Sequence, residues 1–393
     1  MAAAILDIDL AAEIPAPAGL DPYTTAFVVV RFERVPVGHC WLPIREGRLD
    51  RNELMEGALA AAEPALSRRW FERELGWTAA DAAGSLPSAT IAICTRDRPD
   101  DLARALAAVT RAARGAPVLV VDNRPSTDAT ERLVTSRYPH VRYVREDRPG
   151  LNAARNRALA EAATEIVAFT DDDAAPEAGW LEALQRGFSH RLIVGVTGIT
   201  LPSELETPAQ EWFERSSPFG RGYFRHEFDP LECSPHAAGQ VGAGANMALR
   251  RDVVDLVGPF DERLDAGTPT QSGGDHEMFA RILSRGYRLV YDPTAVSWHR
   301  HRRTWPELRE TLRGYGIGVY AMWTGQLVER GDVSVIKQAA WWFLKVQAPS
   351  LLRAFAGRRE APPLDLVLAE LDGCARGPFR WQASNRARQR AAA

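Results

Sequence analysis

Three aspartates in a row, Asp171-Asp172-Asp173, follow the apolar run Ile166-Val167-Ala168-Phe169. Adjacent carboxylates repel one another, and at the end of a buried strand they are costly without a cation. A hard divalent ion, Mn2+ or Mg2+, is the natural compensation, and such ions commonly bridge protein carboxylates to phosphates. Alone, the triplet also reads as a solvated acidic turn serving the N-terminus of the next helix. Two further polar sets end apolar runs in the same way. Thr95-Arg96-Asp97-Arg98-Pro99 follows Thr90–Cys94, and Asp122-Asn123 follows Val118–Val121.

The elements that must position these groups alternate. Strands are expected at Thr90–Cys94, Val118–Val121, Val141–Val144, Ile166–Phe169, Ile193–Val196 and Leu289–Tyr291. Between the first two, Leu102, Leu106 and Val109 form one helical stripe, with Asp100 and Asp101 at its positive end and Gly115 closing it. Further helices follow Ser126 and cover Ala153–Ala163 and Glu177–Phe188. Such alternation predicts an α/β fold, a mostly parallel sheet with helices on both faces. Ligands of such sheets bind beyond the carboxyl ends of the strands. All three polar sets fall on that rim, which makes a ligand site the stronger reading.

The expected organisation has three parts. Residues 1–85 form a small accessory region with a β-branched run, Phe27–Val30, an apolar segment, Cys40–Ile44, and a helix over Asn52–Trp70. Ala79–Ser88 reads as a linker. Residues 88–303 form the α/β domain, and residues 304–393 a helical region ending in a basic tail, Arg386–Arg390.

Composition excludes several classes. The chain has 393 residues, 46% hydrophobic and 25% charged, with a net charge of -3, so nothing global suggests nucleic-acid binding. Cys40, Cys94, Cys233 and Cys374 are far apart, which argues against a zinc ribbon or disulfide framework and for a reducing compartment. Met1–Leu10 carries acids and no basic start, unlike a signal peptide, and no apolar run reaches the ~18 residues of a membrane span. A cytoplasmic protein, soluble or peripheral at the membrane, is expected.

The ordered set Cys94–Pro99, Val120–Asn123, Gly150-Leu151-Asn152-Ala153-Ala154-Arg155-Asn156, Asp171–Asp173, Gly244–Arg250, Gly274-Asp275-His276-Glu277 and Val296–His299 resembles the family 2 glycosyltransferases of GT-A fold. It covers roughly the middle half of the chain. The resemblance implies inverting transfer of a sugar from a nucleotide diphosphate donor to an acceptor hydroxyl, assisted by a divalent cation. By the same resemblance Thr95, Arg96 and Arg98 match the nucleotide loop, Asp122 the carboxylate that reads the base, and Arg155 an arginine near the nucleotide. Asp171 and Asp173 match the outer residues of the D-x-D motif, Asp171 nearer the ribose and Asp173 on the metal. Asp172 is open to either role. His299 matches a histidine that completes the metal site in some relatives. Its neighbours Arg300, His301, Arg302 and Arg303 offer a metal-free alternative, a basic diphosphate clamp.

The segment Gly274–Glu277 resembles the family's catalytic-base motif, where a carboxylate must take the acceptor's proton. Asp275 is the preferred base; Glu277 lies on another face of the helix, with Arg281 four residues on as a partner. Asp275 also reads as an N-cap. Many relatives carry an acid where this chain has Gly274. Pro202–Gly239, with Trp212, Phe213, Phe219, Tyr223, Phe224 and Phe228, is either an acceptor-binding lid or an insertion with its own core. Val335–Ala356 is compatible with an interfacial helix or with one packed on the domain. Rival functions are a dinucleotide oxidoreductase, a sugar nucleotidyltransferase and a non-catalytic nucleotide-sugar-binding protein. The first lacks its glycine motif after the first strand, and the second its glycine-rich phosphate loop.

Overall fold

The computed structural model describes residues 2–14, 17, 19–76, 85–356 and 361–392. Of the expected linker Ala79–Ser88, residues 79–84 lie outside the described residues.

The N-terminal unit is a three-stranded sheet, β1 (Ala3–Asp9), β2 (Thr25–Phe32) and β3 (Val35–Pro43), in that order. Strand β1 runs parallel to β2, and β3 antiparallel to it. The helix Arg51–Glu74 covers one face, burying Leu54, Ala58, Ala62 and Ala65 against Val28, Val30 and Val37. Asp50 caps it by accepting from the backbone N–H groups of Asn52 and Glu53. Arg31 ties this unit to the central domain through Glu177, 2.6 Å away, and Arg215 stacks 3.5 Å over the ring of Trp41.

The central sheet holds nine strands: β4 (Ala89–Thr95), β5 (Val118–Asn123), β6 (Arg142–Glu146), β7 (Ile166–Asp171), β8 (Ala174–Pro176), β9 (Ile193–Pro202), β10 (His226–Phe228), β11 (Asn246–Arg250) and β12 (Arg288–His299). Their order is β10-β12-β9-β11-β7-β4-β5-β6, with β8 alongside the end of β12. Strands β4, β5, β6, β7, β9 and β12 all point one way. They are the six expected from the apolar runs. Strands β8, β10 and β11 run antiparallel to their neighbours. The mostly parallel α/β arrangement is therefore as expected, with three short reversed strands added.

Both faces are covered, which is why β4 reads as a continuous apolar run, buried at all seven positions. On one face Ile91, Ile93 and Val120 pack with Leu102, Leu106, Val109, Trp180 and Leu184. On the other, Ala92, Val121, Phe169 and Met247 pack with Ala154, Ala158, Phe260, Phe279 and Ile282. The C-terminal helices Trp305–Arg330 and Leu364–Ala392 pack against each other and cover Leu264. A capping box between Thr304 and Glu307 starts the first of them. The tail Arg386–Arg390 belongs to the last turns of the second.

Candidate active site

Strand register brings the polar strand ends level. Thr95 pairs with Asp122 across β4 and β5, and Cys94 with Asp171 across β4 and β7. They open on a cavity of about 410 Å³ whose lining includes Thr95, Arg96, Arg98, Arg155, Asp171, Asp172, Asp173, Asp275 and His299. Every residue expected at the site except Asp122 is on that lining. Asp122 sits just behind it, fully buried, beside Asn123, which does line the cavity. Tyr143 donates its hydroxyl to Asp122 Oδ2 at 3.0 Å, while Oδ1 is buried with no hydrogen bond. Burial pushes the Asp122 carboxyl above its ordinary range, against the hydrogen bond from Tyr143. Asn123 is structural. Gly150 N–H donates to its Oδ1 at 2.9 Å, which seats the start of the helix Leu151–Glu161.

The three aspartates divide their work. Asp172 turns inward, accepting from Thr95 Oγ1 at 2.7 Å and Arg98 Nη1 at 2.5 Å. Burial outweighs Arg98 and pushes its carboxyl up to about 7. Asp172 thus fixes the loop after β4 from a place on the cavity lining. Arg98 also donates to Asp173 Oδ2 at 2.9 Å, so it is an anchored side chain and does more than open the turn before Pro99. Arg96 is half exposed at the cavity, 3.6 Å from Asp97.

Asp171, Asp173 and His299 form the one group among the described residues with metal-ligand spacing, their candidate ligand atoms lying within 4.8 Å of one another. Sheet register explains the histidine: Ala174, just after the triplet, pairs with His299 across β8 and β12, and Arg300 N–H donates to the Asp173 carbonyl at 3.0 Å. His299 Nε2 and Asp173 Oδ1 are 3.1 Å apart, and this Oδ1 is buried without a hydrogen bond. Adjacent ligands of an octahedral Mg2+-sized ion, bound at about 2.1 Å, stand about 3 Å apart, so this pair fits a shared cation. For Asp173, burial is outweighed by His299, Arg98 and Arg302, which hold the carboxyl well below the usual range. Burial and its neighbour Asp173 push Asp171 the other way.

The basic neighbours separate. Arg302 is 3.7 Å from Asp173, but Arg303 turns away to Glu204 and Glu206. His301 faces Glu214 at 2.9 Å, and burial pushes that carboxyl up to about 8. Of the expected basic clamp, Arg302 and His301 line the cavity, His301 engaged with Glu214, whereas Arg300 pairs with Asp101 and Arg303 is turned away.

Also on the lining, Arg155 is buried among acids. Its Nη1 donates to Asp265 Oδ2 at 2.7 Å and Asn152 Oδ1 at 3.1 Å. Asp275 accepts backbone N–H bonds from Gly244 and His276, both 2.8 Å, but it is not the N-cap: it is the second residue of the helix Gly274–Ser284, which Gly273 opens with a positive φ. Burial opposes its ionised form, but His276, Arg155 and these two N–H groups outweigh it and lower the pKa. Glu277 is elsewhere: Arg281 and Arg330 grip its two oxygens at 2.6 and 2.7 Å, away from the cavity.

Sequence reasoning missed Asp265. It has φ 82° and reaches the cavity from the turn Asp265-Ala266-Gly267. Only that turn composition hinted at it. Burial and Asp275 push its carboxyl up, against Arg155. Its Oδ2 and the side-chain amide of Asn152 stand in the place that a Cβ on residue 274 would need, which explains the glycine there. Tyr315 and Leu308, from the helix Trp305–Arg330, were also missed. In the segment Pro202–Gly239, Phe213 and Phe219 line the cavity and pack with Leu308, Leu312 and Trp305 of the helix Trp305–Arg330, so its core is shared and not its own.

Residues 90–256 match the family described as Glycosyl transferase family 2. The chain is 29% identical over 215 residues to a pre-mycofactocin glycosyltransferase of Mycobacterium tuberculosis, covering 54% of this chain and 43% of that protein. It is 27% identical over 267 residues to the glycosyltransferase AglE of Haloferax volcanii, covering 66% and 81%. The chain thus spans less than half the length of the mycobacterial relative. A solved mannosyltransferase from Pyrobaculum calidifontis, in complex with GDP-Man and Mn2+, aligns with a TM-score of 0.46 and 17% identity over 84% of this chain and 86% of that one.

Proposed function

We propose, on the premise that this chain carries a family 2 glycosyltransferase domain, that it moves a sugar from a nucleotide diphosphate donor to an acceptor hydroxyl with inversion. The observation that carries this reading is that one cavity is lined both by Asp171, Asp173, His299, Arg98 and Arg302 and by the ionised Asp275. An in-line displacement needs both, charge control at the leaving group and a base at the nucleophile.

Asp275 takes the proton of the acceptor hydroxyl as that oxygen forms its bond to the anomeric carbon. The bond from that carbon to the diphosphate oxygen breaks on the opposite face, and its electron pair leaves with the nucleoside diphosphate. Arg98 and Arg302 face the charge that grows there. Asp171, Asp173 and His299 are the residues that would hold Mn2+ or Mg2+, an ion whose chemistry is to neutralise a leaving diphosphate. The aromatic side chains Phe213, Phe219 and Tyr315 offer flat surfaces for the acceptor. Turnover of a panel of nucleotide sugars, with the anomeric configuration of the product read from proton coupling, tests the reading. Inversion is expected, and a retained configuration would overturn the mechanism.

Asp122 is assigned to the donor's base or ribose, because its buried Oδ1 has no partner within the protein. Replacing Asp122 by Ala is expected to weaken binding of the free nucleoside diphosphate by about 1–3 kcal/mol, the range for a hydrogen bond to a charged group. Calorimetric titration reads this directly, and an unchanged affinity removes Asp122 from the donor site.

A further inference from the structure

The helices Ser334–Trp342 and Ala348–Phe355 are joined through one π-helical turn, Phe343–Gln347, into a continuous arm. Its inner side is well seated. Val335, Ala339 and Trp342 pack with Ala321, Met322, Trp323 and Trp381, and Gln347 Nε2 donates to Glu370 Oε1 at 3.2 Å and Cys374 Sγ at 3.1 Å. The step from Trp342 to Gln347 is five residues, too long for an α-helical face. The π turn absorbs the extra residue, so the inner face stays inward along the whole arm. The outer face stays in phase for the same reason.

That outer face is apolar. Ile336 is 57% exposed, Leu344 64%, Leu352 70% and Phe355 66%, with Trp341 and Phe343 about half exposed beside them. Large exposed apolar patches on soluble chains mark interaction surfaces. Along the arm itself the charge is of a single sign: residues 334–356 contain Lys337, Lys345 and Arg353 and no acid, with Asp332 just ahead of it accepting from Ser334 N–H. All three cations are exposed. A second copy of the chain meeting the same face about a two-fold axis would bring like charges together. An anionic lipid surface complements both the apolar stripe and the cations, whose long stems let the charges reach headgroups. No helix among the described residues is long and apolar enough to cross a membrane, so the arm would lie on a bilayer and not span it.

We propose that this arm docks the protein on the surface of a bilayer containing anionic lipid. The proposal is independent of the reaction above. It is tested by flotation of the full chain with vesicles of phosphatidylcholine alone or mixed with phosphatidylglycerol. Co-flotation with the mixed vesicles at low salt is expected, falling as ionic strength rises. Leu352→Glu with Phe355→Glu is expected to cut the bound fraction roughly tenfold or more, since two apolar anchors become anions. Lys337→Glu with Lys345→Glu is expected to do the same. The melting temperatures should hold, because these side chains point out of the fold. Absence of wild-type flotation on the mixed vesicles overturns the proposal, as does equal flotation of the glutamate variants. A wild-type dimer in light scattering that the same substitutions convert to monomer would also overturn it, and give the face to a second copy.

Discussion

Asp173→Ala should lower turnover by roughly a thousandfold, the upper range for removing one preorganised electrostatic contact at a reacting centre. The expectation rests on three features of that side chain. It is held ionised by His299, Arg98 and Arg302. One oxygen has no hydrogen bond, and it lies 3.1 Å from an imidazole nitrogen. The other is held by Arg98 at 2.9 Å. Alanine removes one partner of Arg98 and Arg302, so Asp173→Asn is the better control for the fold: it keeps the shape while removing the charge. Two readouts separate the roles. Mn2+ binding in the presence of a nucleoside diphosphate, followed by electron paramagnetic resonance, should be lost in both variants. Full wild-type turnover in a chelator would sink the metal reading and leave Arg98 and Arg302 alone on the diphosphate.

The second large effect belongs to Asp275. Asp275→Asn is expected to cut turnover by about 100-fold or more while leaving donor affinity in place, the scale of a general base removed from the acceptor side. Because Asp275 is held ionised, the acid limb of the wild-type pH profile should fall below the ordinary aspartate value of about 3.9. Glu277→Gln gives the opposite pattern. It touches no part of the cavity and should keep turnover, but its exchange weakens a buried contact with Arg281 and Arg330 and so lowers stability, measured by chemical denaturation. Wild-type turnover in Asp275→Asn together with loss in Glu277→Gln would transfer the base role.

What is legible in the sequence is local. Five of the six parallel strands show as apolar runs because a parallel strand buried on both faces needs little else, as in Ile91-Ala92-Ile93-Cys94, while the edge strand β6, with exposed Arg142 and Arg145, shows only through Val141, Tyr143 and Val144. The strands that escape notice are β8 and β10, with three residues each, β11, hidden in a stretch that reads as a motif, and β1, whose Asp7 and Asp9 break the apolar pattern. The site follows the same rule. Polar groups at strand ends announce themselves, so Thr95, Asp122 and Asp171–Asp173 stand out from their place alone. Asp265 does not: its importance comes from meeting Arg155, 110 residues away, a contact that no spacing encodes. The split between His299 and His301 is equally hidden, because it depends on the pairing of Ala174 with His299.

The glycine at position 274 bears on how such a site can change over generations. Asn152 and Asp265 together fill the corner that a side chain on residue 274 would occupy, Nδ2 of the first and Oδ2 of the second standing where that Cβ would have to go. An acid at 274 therefore needs both side chains to swing aside, and both are partners of the buried Arg155. Descendants of this chain that gain an acid at 274 should then carry accompanying changes at 152 and 265.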